Sequence, residues 1–219
     1  MKTPKQTIYG DRAFCYNCYR PKSSCMCRYI TPIETNTKVV ILMHPKEFKK
    51  VKNNTGRFTH LSLKNSELFV GVDFSNHKRI NEILSEYESY ILYPSKDAID
   101  IAKEQLHPKK KLALFLIDAT WSCAKSIFCS STNLQTLPHI SFSTQKTSEY
   151  QIKLQPQSNF LSTIETMQVV LELLTKQGLE DVPKERLENF LVPFYKMIAY
   201  QKELIQNPKS NAVRFKKRR

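Results

Sequence analysis

Glycine is scarce in this chain: its 219 residues include four, Gly10, Gly56, Gly71 and Gly178. None sits in a Gly-rich phosphate loop or a dinucleotide fingerprint, so a nucleotide-like ligand must be held some other way. Long apolar runs are also missing, and the longest, VVILM and LALFLI, are far too short to cross a bilayer. The amino-terminal stretch MKTPKQTIYGDRAF is polar and lacks the apolar middle of a secretory signal. There are no internal repeats. These absences lead us to expect an intracellular, cytoplasmic protein with no membrane partner.

Acidic residues are outnumbered, 20 against 34 Lys and Arg, which leaves a net charge of +14. The positive charge gathers in KEFKKVK (46–52), HPKKK (107–111) and the tail RFKKRR (214–219). Without the five charges of that tail the body is still near +9. Such a field attracts phosphates without reading sequence, so the expected partner is a polyanion, nucleic acid before membrane. Apolar content of 41% and aromatic content of 11% fit a folded chain with a sizeable core.

Cysteine is unevenly spread. Cys15, Cys18, Cys25 and Cys27 fall within CYNCYRPKSSCMC, with spacing Cys-x2-Cys-x6-Cys-x-Cys. In a reducing compartment disulfides seldom persist, and crowded thiols more often hold a metal. Two short hairpin-like pairs bring four thiolates to the corners of a tetrahedron, which suits zinc and leaves no open position for catalysis. Arg20, Lys22 and Arg28 would offset the charge of such a site. Two disulfides are the alternative. Cys123 and Cys129 read as ordinary buried thiols in a helix.

Beyond the cysteines, apolar strands alternate with amphipathic segments. Strands are expected at 38–43, 67–72, 89–94, 111–117 and 139–143. Helices are expected after His44, and over 78–87, 95–106, 119–130, 162–177 and 184–206. This alternation implies an α/β fold, a mostly parallel sheet with helices on both faces. In open sheets of that kind ligands bind beyond the carboxyl ends of the strands. There the chain places His44-Pro45, Tyr93-Pro94-Ser95 and Asp118-Ala119-Thr120-Trp121.

Several residue types at that rim carry chemistry. Asp118, at a strand-to-helix junction, can accept a proton or orient a reacting group, or can simply cap the helix. Trp121 can stack on a ring, although core filling is the default reading. His44, with Lys46, Lys49, Lys50, Lys52 and Arg57, forms the candidate RNA-contacting set, and a structural histidine is the alternative at position 44. Ser162 and Glu165 have capping-box spacing, and the helix start they mark can also receive a polar ligand group.

Asp118-Ala119-Thr120-Trp121 after an apolar strand, the cysteine cluster, HPKE, LYPS and LSTIE occur in one order from about Cys15 to Glu165. Together they resemble the DTW-domain family of tRNA-uridine aminocarboxypropyltransferases. The resemblance implies a SPOUT-like fold with a carboxy-terminal knot around S-adenosylmethionine. It divides the chain into a zinc knuckle (1–32), a catalytic domain (33–206) and a basic tail (207–219). It implies transfer of the 3-amino-3-carboxypropyl group to N3 of a uridine in tRNA, with Asp118 as the catalytic residue. Tyr93, Pro94, Ser95, Thr120, Trp121, Leu161, Ser162, Thr163 and Glu165 are then the residues facing the cofactor. Zinc is structural in this reading, and no obligate protein partner is expected. Two other readings stay open, a methyltransferase on the same scaffold and a non-catalytic zinc-containing RNA-binding protein.

Overall fold

A computed structural model describes residues 13–50, 53–144, 148 and 161–207, apart from the side chain of Lys50. A short hairpin of β1 (Phe14–Cys15) and β2 (Arg20–Pro21) opens the fold, followed by single 3-10 turns at Lys22–Ser24 and Cys27–Tyr29. The main sheet contains β3 (Lys38–Met43), β4 (Ser66–Val70), β5 (Glu88–Leu92), β6 (Ile99–Asp100), β7 (Leu112–Asp118) and β8 (His139–Ser141). Helices α1 (Pro45–Lys50), α2 (Thr55–Leu61) and α3 (Lys78–Glu86) fall between the earlier strands. Helices α4 (Trp121–Ser130) and α5 (Thr132–Gln135) follow β7, and α6 (Thr163–Lys176), α7 (Lys184–Phe190) and α8 (Val192–Gln206) complete the chain.

The sheet is parallel throughout, in the order β4-β3-β7-β5-β8-β6. Its centre is β7, whose LALFLI run is apolar at every position because both faces of the strand are covered. Successive side chains point to opposite faces. Leu112, Leu114 and Leu116 therefore join Val39 and Ile41 under α2, α6, α7 and α8, where Phe58, Met167, Leu171, Phe190 and Phe194 close the layer. Ala113 and Phe115 join Val40, Leu42 and Ile91 on the other side, against Ile80 and Ile83 of α3 and Ile127 of α4. No described helix is long and apolar enough to cross a membrane.

One expected helix does not form. Residues 95–106 make an edge strand, β6, and turns. Ile99 and Ile101 are two residues apart and both meet the same apolar layer, which is strand spacing. The Ile101 N–H donates to Ser141 O at 2.9 Å, and Asp100 Oδ1 accepts from Ala102 N at 3.1 Å to start the turn. Gln177, at the end of α6, ties the segment down by accepting from Leu106 N (3.0 Å) and donating to Ile101 O (2.8 Å). The helix expected over 184–206 is broken at Leu191 and restarts with Pro193 in the first turn of α8, where a missing N–H is harmless.

Just past α6, Glu180 is buried and its carboxylate accepts from the N–H groups of Asn36 (2.9 Å) and Thr37 (2.6 Å) at the entry to β3. Those donors sit where the chain enters the central sheet, so losing the acceptor leaves them dry. Glu180→Ala is expected to cost roughly 2–3 kcal/mol and Glu180→Gln about half as much, measured by urea denaturation. An unchanged midpoint for the alanine variant would refute this role.

Candidate functional site

A cleft of about 580 Å³ opens at the carboxyl edge of the sheet, within the range of small-molecule sites. Its floor is Leu116 and Ile117 of β7, Leu92 of β5 and Ile140 of β8. Around the mouth stand Tyr93 and Pro94 after β5, Trp121 and Ala124 of α4, Ser141 to Thr144 after β8, and Leu161, Thr163 and Thr166 at the start of α6. Five of the residues expected to face a ligand are therefore on the wall: Tyr93, Pro94, Trp121, Leu161 and Thr163.

Four others stand off that wall. Ser95 and Thr120 are exposed outside it. Ser162 and Glu165 are buried behind it in a closed capping box, with Ser162 N and Oγ donating to Glu165 Oε2 at 2.8 and 2.6 Å. Trp121 is 49% exposed, which corrects the default reading of this residue as core. Its ring stands at the cleft mouth because the helix it opens starts at the strand tip. The segment 140–144 was missed as lining. Its signal in the sequence was only a short apolar pair followed by hydroxyl residues.

Asp118 is itself buried and does not line the cleft. Three elements hold it. Its Oδ2 accepts from Asn54 Nδ2 at 2.6 Å, and its Oδ1 accepts from Thr163 Oγ1 at 2.7 Å. Its backbone oxygen accepts from His44 N at 3.2 Å, at the end of β3. Asn54 also caps α2, its Oδ1 accepting from Arg57 N at 2.9 Å, which fixes which way its amide faces. Gly56 makes the approach possible, because a Cβ there would lie 2.5 Å from Asp118 Cγ. Both carboxylate oxygens thus have committed donors, and the side chain that reaches from this corner into the cleft is Thr163.

The sulfur atoms of Cys15, Cys18, Cys25 and Cys27 all lie within 4.8 Å of one another. The pairs Cys15–Cys27 and Cys18–Cys25 are each 3.7 Å apart, far too long for disulfides. A tetrahedral zinc with bonds of about 2.3 Å requires sulfur–sulfur edges of about 3.8 Å, so the donor set fits that ion. Asn17 Nδ2 donates to Cys27 Sγ at 3.4 Å, a hydrogen bond of the kind that steadies a thiolate ligand. Burial pushes the Cys18 thiol up, and a bound dication would reverse that by holding the thiolate. The knuckle is docked on the main core: Cys18 and Met26 share the apolar layer with Ile33 and Phe58.

The domain family described as DTW domain matches residues 12–202. The chain belongs to the DTW-domain family. It is 32% identical over 194 residues to a Drosophila melanogaster protein named tRNA-uridine aminocarboxypropyltransferase 2, which covers 85% of this chain and 74% of that one. A Mus musculus protein of the same name is 29% identical over 173 residues, 76% of this chain and 58% of its own length. The chain thus spans less than two thirds of the mouse relative. An Arabidopsis thaliana protein named tRNA-uridine aminocarboxypropyltransferase A is 24% identical over 246 residues, covering 98% of this chain and 90% of that one. No solved structure matches it.

Within this DTW domain the expected RNA-contacting residues divide. Lys46 and Lys49 are exposed on α1. The side chain of Lys50 and the whole of Lys52 lie outside the described residues. Arg57 is turned inward and buried, a correction to its reading as a surface contact. Its guanidinium lies 4.5 Å from the Tyr19 ring centroid and 4.7 Å from that of Phe48, joining the knuckle to α1 by cation–π contacts. His44 is also buried, with Nδ1 accepting from Lys46 N at 3.1 Å. Burial, and then the Lys46 charge, lower its pKa, so it is a neutral cap for α1 at physiological pH. Cys129 is exposed and Cys123 half-buried, not the buried thiols expected, because α4 turns its Ala124 and Ile127 face inward.

Two measurements check this site. Gly56→Ala is expected to cost roughly 1–3 kcal/mol in urea denaturation, since its methyl group displaces the Asp118 carboxylate. Unchanged stability would mean that α2 does not pack there. Mass spectrometry of the purified domain is expected to find one zinc ion per chain, and Cys18→Ser to lose both the metal and thermal stability. A metal-free wild-type protein with the same melting temperature as the loaded one would contradict a structural role.

Proposed function

We propose that this DTW domain transfers the 3-amino-3-carboxypropyl group of S-adenosylmethionine to N3 of a uridine in tRNA, releasing 5′-methylthioadenosine. The observation that carries the reading is that the Asp118-Ala119-Thr120-Trp121 corner and the LSTIE segment meet at a single cleft on the carboxyl edge of a parallel sheet. The names of its relatives support the activity. The parallel sheet with its cleft at that edge supports a SPOUT-like arrangement.

In the reaction the N3–Cγ bond forms as the Cγ–S bond breaks. The bonding pair stays on sulfur, and the N3 proton passes to solvent water. Which of the three carbons on the sulfonium reacts depends on which one the pocket presents to the base. Leu116, Ile140 and Leu161 supply apolar wall for the adenosine and the methyl group. Trp121 offers a ring face at the mouth for the uracil, which must leave its stack to be reached. Thr163 presents its hydroxyl oxygen to the reacting groups, and Asp118 holds that hydroxyl in place. Asp118 is a positioning residue in this reading, and orientation is its contribution. The four thiolates hold a structural zinc, and the basic surface meets the tRNA backbone in the cytoplasm.

Nucleoside mass spectrometry of tRNA from a strain lacking the gene is expected to show loss of the aminocarboxypropyl uridine. The purified protein is expected to release methylthioadenosine. Release of S-adenosylhomocysteine would instead identify a methyltransferase, and loss of no nucleoside a non-catalytic RNA-binding protein. Asp118→Asn is expected to lower kcat/KM by on the order of 100-fold while leaving the pH profile of the residual rate in place. A pH profile that changes slope would mean that the carboxylate itself takes the proton.

A further inference from the structure

Two hydroxyl groups on the cleft wall have their protons turned away from the cleft. Thr163 Oγ1 donates to Asp118 Oδ1 at 2.7 Å, and Ser143 Oγ donates to Asp100 Oδ2 at 2.6 Å. The Ser143 N–H also donates to Asp100 Oδ1, at 3.2 Å. A hydroxyl has one proton and two lone pairs, so each of these groups keeps only acceptor capacity for a ligand.

The carboxylates behind them stand on separate strands. Asp118 ends β7 and Asp100 ends β6, with β5 and β8 between them in sheet order. At about 4.8 Å per strand they flank the cleft roughly 14 Å apart. The Ser143 hydrogen bond, followed by Lys103, holds the Asp100 carboxyl down to about 2. Lys103 lies on its solvent side at 3.1 Å with a side chain 70% exposed, so water screens that cation. Among the described residues that line the cleft there is no lysine or arginine. In a chain of net charge +14 this mostly apolar cleft has two wall hydroxyls that can only accept, each backed by a carboxylate.

We propose that Asp100, acting through Ser143, is a specificity-determining residue that makes the cleft select a cationic, N–H-bearing donor over its neutral product. The inference rests on the donor named under Proposed function. S-adenosylmethionine enters with a positive sulfur, an ammonium and a carboxylate, a net charge of one positive unit. When the Cγ–S bond breaks, its electron pair neutralises the sulfur, and the ammonium and carboxylate depart together on the uridine. The methylthioadenosine left behind carries none of these charges. The pairs Asp100–Ser143 and Asp118–Thr163 therefore hold the donor and let go of the product. Carboxylates lining the cleft directly would grip the cation more strongly but would also compete as nucleophiles for the same electrophilic carbon. Standing one layer back, they supply field without contact.

Isothermal titration of the full chain with S-adenosylmethionine and with methylthioadenosine tests this. Asp100→Asn is expected to raise the Kd for S-adenosylmethionine on the order of 10-fold and to leave that for methylthioadenosine within about 2-fold. Ser143→Ala, at an exposed position, is expected to move the two ligands in the same unequal way, roughly 3-fold against no change. It serves if the aspartate variant fails to fold. If either folded variant shifts both ligands alike, or shifts neither, the inference is overturned while the proposed function stands. If the wild-type chain binds no S-adenosylmethionine, the proposed function falls and this inference falls with it.

Discussion

A buried carboxylate with two committed donors organises this molecule. Asp118 stands at the tip of the central strand, where an unpaired charge would be too costly to keep. Asn54 and Thr163 remove that cost; the first is the N-cap of α2 and the second the opening residue of α6. The charge therefore determines where α2 and α6 begin relative to β7. Gly56 shows how tightly, since no side chain fits between the helix and the carboxylate. The cleft inherits its geometry from this corner, because Thr163 and Leu161 on one wall and Ala119 and Trp121 on the adjoining one all leave from it.

The cysteine knuckle enters the same arrangement through α2. One turn of that helix carries Asn54 and Gly56 against Asp118, and its next residues, Arg57 and Phe58, turn to the knuckle. Arg57 lies between Tyr19 and Phe48, and Arg20 lies 5.6 Å from the centre of the Phe58 ring. Tyr19 adopts a positive φ of 54°, a conformation rarely held without surrounding constraint. Four thiolates around an ion would supply that constraint. A structural metal here would do more than stiffen a hairpin: the helix it would brace is the one whose Asn54 holds the aspartate.

Much of this was legible in the residues, and the parts that were not share a cause. Strands buried on both faces announce themselves by unbroken apolar runs, and β3, β5 and β7 were placed to within a residue or two. The cysteine spacing, the strand tips at Tyr93 and Asp118 and the capping box of Ser162 and Glu165 were legible for the same reason: local pattern determines them. Residues 95–106 were misread because SKDAIDIAKEQL has helix-forming composition, while its Ile99 and Ile101 answer to β8, a partner distant in the chain. Arg57, His44 and Trp121 failed likewise. Composition makes an arginine look external and a tryptophan internal, but Tyr19 and Phe48 bury the first, and the start of α4 at the strand tip exposes the second. The donors to Asp118 were also beyond reach, since Asn54 lies 64 residues away in the chain.

The two electrostatic tasks of the fold pull in opposite directions, and distance separates them. Exposed lysines such as Lys46, Lys49, Lys96 and Lys125 act through water and salt, over roughly 8–10 Å, on whatever polyanion approaches. Asp118 acts from a buried corner behind Thr163, and Asp100 from a half-buried position behind the exposed Ser143. For the proposed reaction, a positive cleft would attract phosphate groups in place of a cationic donor, and a negative exterior would repel an RNA substrate. Setting the acids one layer behind neutral hydroxyls meets both demands. Among the described residues the cleft lining carries no lysine or arginine, and Thr163 and Ser143 offer a ligand within it their acceptor oxygens.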